Sequence, residues 1–104
     1  MPFADTLKTL PTADHLAAVE LLNATGDVVA RIENKPGQAG SLRVYAALAA
    51  KHGAINAAAA EEALAIYEEH TVDARANPGK HPNIDRLIDL LAQGAKLTLR
   101  PIAA

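Results

Sequence analysis

The chain has 104 residues, ten basic and twelve acidic, for a formal net charge of −2. It has no cysteine, which excludes disulfides, zinc-thiolate sites and a thiol nucleophile, and the balance of charge gives no basic footprint for nucleic acid. Half the residues are hydrophobic, but 24 are alanine and only Phe3, Tyr45 and Tyr67 are aromatic, so Leu, Ile and Val must supply most of the burial.

Phe3, Leu7 and Leu10 recur at helical spacing behind Pro2, which predicts a short opening helix over residues 2–9, stopped by Pro11. Two apolar runs follow, Leu16 to Leu22 and Val28 to Glu33. The turn cluster Asn23-Ala24-Thr25-Gly26-Asp27 between them is a β-hairpin signal. Alternation turns Val19, Leu21, Val28, Ala30 and Ile32 inward and leaves Glu20, Arg31 and Glu33 outside. It also leaves Leu22 and Val29 on the outer face, as candidates for a subunit contact.

Lys35-Pro36-Gly37-Gln38-Ala39-Gly40 reads as a loop. Ser41 is then a candidate N-cap for a helix from Leu42 to about His52, stopped by Gly53. Asn56 caps a second helix whose Ala60, Ala63, Leu64, Tyr67 and Thr71 share a face, and Pro78-Gly79 ends it. Asn83 opens a third, with Ile84, Leu87, Ile88 and Leu91 at i, i+3, i+4 and i+7 and Gly94 as its end. Lys96 to Arg100 alternates cleanly before Pro101 and reads as a strand that joins the hairpin, since alone it would leave its backbone groups unpaired.

The expectation is one α+β domain over residues 1–104, in the order α-β-β-α-α-α-β. A three-stranded, mainly antiparallel sheet, built from the hairpin and the C-terminal strand, is covered on one face by helices. The start carries no basic and apolar leader and no run approaches the ~20 apolar residues of a membrane span, so a soluble, cytoplasmic protein is expected. The alanine-rich core favours a homo-oligomer or a protein partner, which would supply burial the monomer lacks.

Two segments hold candidate chemistry. The first is the strand-loop-helix passage containing Asn34, Lys35, Gly37, Gly40 and Ser41, because a glycine-rich loop entering a helix presents free N–H groups and Lys35 adds charge. It lacks both the Walker and the dinucleotide fingerprints. The second is the polar stretch from Glu69 to Arg86. There His70 and Asp73 are three apart on a helix, with His81 and Asp85 just past the Pro-Gly turn, a donor set suited to a divalent metal. The sequence itself requires no cofactor, and it contains neither a nucleophile elbow nor an HExxH motif. His15 and His52 read as structural or solvated positions.

Val28 to Asn56, with Asn34-Lys35-Pro36-Gly37 after a strand and Gly53-Ala54-Ile55-Asn56 after a helix, resembles the opening of an ACT domain. That resemblance implies binding of an amino acid or related effector at a subunit interface, through Asn34, Pro36, Gly37 and neighbouring backbone. As a whole, with His81-Pro82-Asn83-Ile84-Asp85-Arg86-Leu87 its most signature-like segment, the chain resembles the compact uncharacterised families common in bacteria. The functional expectation is a non-enzymatic binding or interaction module that self-associates. The alternatives are a metal-dependent protein or enzyme and an ACT-like effector binder.

Overall fold

Strand β1 (Leu16–Leu22) lies at the centre of a three-stranded sheet, with β2 (Val28–Glu33) on one side and β3 (Thr98–Ala103) on the other, both antiparallel to it. The computed structural model describes residues 2–104. Both hairpin strands have the expected bounds, because each is an apolar run ended by turn residues. At the turn, Asn23 Oδ1 accepts from the N–H groups of Thr25 and Asp27, and Gly26 supplies φ 85°.

Val19 pairs with Ile32 and Leu21 with Ala30, facing the core as alternation requires. Beyond Leu21 the register slips, so that Leu22 opposes Val28 and Val29 is the extra residue of a bulge. Val28 therefore does not point inward as expected; it is 47% exposed and Val29 52%.

β3 begins at Thr98, two residues later than the alternation predicts, and runs through Pro101 to Ala103. It tolerates the proline because it is an edge strand. Leu97 pairs separately with Ile55. Outside the core, Glu20 receives Arg31 from β2 at 3.3 Å and Arg100 Nε from β3 at 2.9 Å, so one carboxylate joins all three strands.

The helices are α1 (Phe3–Leu7), α2 (Ala39–His52), α3 (Ala57–Tyr67), α4 (Glu69–Ala76) and α5 (Pro82–Gln93). α2 packs on all three strands, α3 lies between α2 and α5, and α4 packs on α5. Leu42, Tyr45, Leu48, Ile55, Leu64, Tyr67, Ile84, Leu87 and Leu90 join Val19, Leu21 and Ile32 in one core, with small residues such as Ala59, Ala60 and Ala63 where α3 is closely approached.

Several helix boundaries differ from expectation: α1 ends at Leu7 and not at residue 9, and α5 starts at Pro82, one residue before Asn83. α2 starts at Ala39, so Ser41 lies inside the helix and does not cap it, and its Oγ accepts from Tyr67 Oη at 2.8 Å. The long second helix is broken at Glu68, which takes φ 47° and ψ −102° between α3 and α4. α3 and α4 follow α2, where the ACT resemblance implies strands. Among the described residues, no helix is long and apolar enough to cross a membrane.

Candidate functional site

The passage from β2 into α2 is fixed by its own side chains. Asn34 Nδ2 donates to the carbonyls of Ala13 and Leu16 at 3.1 and 2.8 Å, locking the segment that precedes β1. Gln38 Oε1 accepts from Glu33 N–H, and Lys35 pairs with Glu33 at 3.3 Å on the surface. Asn34 is thus committed to the fold and Lys35 lies outside the cleft lining, while Gly37, Ala39, Gly40 and Ser41 line a cleft of about 370 Å³.

His70 from the start of α4, Lys80 and His81 from the turn before α5, and Asn83 from the first turn of α5 line the same cleft. His70 and His81 have ring centroids 5.8 Å apart. Phe3 from α1 stacks on Tyr67 at 5.1 Å and meets His70 edge-on at 5.2 Å, so an aromatic row reaches from α3 to the α5 turn. The two sequence segments that carried separate candidate chemistries both line one cleft.

Asp73 stands behind this wall. Its Oδ2 is 2.6 Å from His81 Nε2 and 3.0 Å from Lys80 Nζ, and its Oδ1 accepts from Asn77 at 3.0 Å. The His81 and Lys80 contacts hold its carboxyl well below the ordinary range, at about 2. Asp85 serves the turn, its Oδ2 accepting from Gly79 N–H at 2.8 Å. His70, Asp73, His81 and Asp85 therefore do not form one ligand set, and among the described residues no three His, Cys, Asp or Glu groups are placed to hold a metal ion.

Asn83, which lines the cleft, is tied to the core behind it. Tyr45, 1% exposed, donates its hydroxyl to the Asn83 carbonyl, while Arg86 donates to Tyr45 Oη at 3.2 Å and to Asn83 Oδ1 at 2.8 Å. Burial pushes the Tyr45 hydroxyl up to about 12, so it remains a donor throughout the physiological range.

Backbone donors remain free here. α3 is capped by Asn56 Oδ1 on Ala59 N–H at 2.9 Å, but α2 and α5, which begin at the cleft, have no side-chain cap. The N–H groups of Gly40, Ser41, His81 and Asn83 have no hydrogen-bond acceptor among the described residues. Such groups at helix starts favour negative charge.

Phe3, Tyr67 and Lys80 escaped the sequence reading. Phe3 and Tyr67 looked like ordinary core aromatics, and the only signal for Lys80 was its place beside Gly79 and His81.

A family model for uncharacterized proteins conserved in bacteria, DUF2322, matches residues 3–101. The chain belongs to the DUF2322 family. The match runs from Phe3 in α1 to Pro101 in β3, so the DUF2322 region contains every residue that lines the cleft. No curated protein and no solved structure matches the chain.

Proposed function

We propose that this protein is a small-molecule-binding module whose site is the cleft between the starts of α2, α4 and α5. The observation that carries the reading is that Gly37 to Ser41 and His70 to His81, far apart in sequence, line one concave site. A cleft that combines apolar walls with a few convergent polar groups is the usual form of a ligand site. The ACT-like turn, which implies contacts at Asn34, Pro36, Gly37 and neighbouring backbone, supports the same loop, of which Gly37 lines the cleft. Asn34 shapes the loop.

The test is a fragment screen by ligand-observed NMR, repeated on His81→Ala and Ser41→Ala after circular dichroism confirms their fold. Fragments that bind the wild type should lose about tenfold or more in affinity in both variants. Hits that ignore both substitutions contradict the reading.

A second reading, self-association within the cytoplasm, rests on the bulge at the hairpin end. Val28 and Val29 are two of the three exposed large hydrophobic residues among those described, beside half-buried Leu22. A second copy placed there would cover them. Sedimentation velocity at tens of micromolar should show a dimer that Val29→Lys reduces to monomer; a wild-type monomer contradicts it.

A further inference from the structure

We infer that the cleft takes a small aromatic anion, a ring carrying one carboxylate or phosphate monoester, as a free molecule. This rests on the cleft being a ligand site and assigns the class of ligand. The protein as a whole carries more acidic than basic residues, yet no Asp or Glu lines this cleft. Lys80, His70 and His81 do. By contrast, the groove along α5 lined by Val29, Leu90 and Leu97 contains both Asp85 and Asp89.

The side-chain donors that line the cleft are held ready without being used up. Asp73 does not line the cleft; it fixes His81 through Nε2 and holds Lys80, which is 61% exposed and free to turn toward a second anion. The other nitrogen of His81 and both ring nitrogens of His70 have no hydrogen-bond partner among the described residues, and both histidines are only partly exposed. The Ser41 hydroxyl accepts from Tyr67, which leaves its own proton to donate. An anion placed among these groups gains several charge-assisted hydrogen bonds.

The remaining wall fixes the rest of the ligand. Phe3, Tyr67 and His70 are all cleft-lining rings, and ring-to-ring packing favours a planar apolar body over a hydrated ion alone. A volume of about 370 Å³ admits one substituted ring but not a polymer. Benzoate and phenyl phosphate carry the two anionic groups on the same ring. Inorganic phosphate keeps the charge without the ring, and benzyl alcohol and benzylamine keep the ring without the anion.

Isothermal titration calorimetry of the full chain with these five probes, at low and at physiological salt, tests the assignment. Benzoate, phenyl phosphate or both should bind at least tenfold more tightly than inorganic phosphate, benzyl alcohol and benzylamine, and whichever is tighter names the anionic group. Lys80→Met should cost the anion about fivefold or more while leaving benzyl alcohol unchanged, and Phe3→Leu should erode the advantage over inorganic phosphate. If benzyl alcohol or benzylamine binds as tightly as the anions, and His81→Ala abolishes that binding, the aromatic-anion assignment is overturned and the cleft remains a ligand site. If inorganic phosphate matches phenyl phosphate, the aromatic part is overturned. Binding of no probe overturns the assignment, and the unbiased fragment screen then decides whether the cleft binds at all.

Discussion

Asp73 holds His81 Nε2 at 2.6 Å from behind the cleft, so a residue of α4 sets the orientation of the ring that precedes α5. The contact joins two helices across the Asn77-Pro78-Gly79 turn, with Lys80 as a second partner of the same carboxylate.

Because the native Asp73 carboxyl lies at about 2 against an ordinary 3.8, the unfolded chain binds its proton first as pH falls. The stabilisation from this group is full above about pH 4 and is lost as pH falls toward 2. Thermal melts from pH 6 to 2 should show wild type losing stability faster than Asp73→Asn across that window. Glu20, Glu62 and Glu69 are also held low, chiefly by Arg100, Lys51 and the Phe3 N–H respectively, so some acid sensitivity persists in the variant. Parallel curves would show that the pair adds no pH-dependent stability.

Tyr45→Phe removes the hydroxyl that the Asn83 carbonyl and Arg86 share. The ring stays in the core, so the cost is that of buried polar groups losing a partner, about 1–3 kcal/mol. Urea denaturation should show a lower midpoint with an unchanged m-value. No change in midpoint would mean that Arg86 and water replace the bond.

Much of the fold is legible from local pattern. β1 and β2 have the bounds their alternation and turn chemistry predict, and α2 and α5 stop at Gly53 and Gly94, both in left-handed conformation. What escaped depends on partners distant in sequence. Ser41 has the chemistry of a cap, but the structure gives its oxygen to Tyr67, 26 residues on. Val28 follows the inward alternation until the bulge places it opposite Leu22. The two walls of the cleft read as unrelated candidates because no local signal joins α2 to the α5 turn.

The break at Glu68 had no glycine or proline to announce it. A non-glycine residue at φ 47° is strained, and a β-branched side chain is strained most. Glu68→Val should therefore be less stable than Glu68→Gly by about 1–3 kcal/mol in chemical denaturation. Equal stability of the two variants would mean that the chain between α3 and α4 relaxes easily.

Glu20 receives two arginines from opposite strands, and its side chain is 16% exposed while theirs are about half exposed. Arg100 chiefly holds its carboxyl below the ordinary range. Glu20→Gln should lower the melting temperature more than Arg31→Gln or Arg100→Gln alone, because it removes both pairs and leaves two like charges flanking one strand. The difference should shrink in 1 M salt, where exposed charges are screened. An unchanged melting temperature at low salt would assign the sheet's stability to its core alone.

The central claim is that the start of α2 and the turn before α5 form one ligand site. Its most direct measurement is amide chemical-shift mapping during a titration with phenyl phosphate. The account predicts that Gly40, Ser41, His70, His81 and Asn83 shift together along a single binding isotherm. Shifts confined to one of the two segments, or two segments that titrate with different affinities, would contradict it.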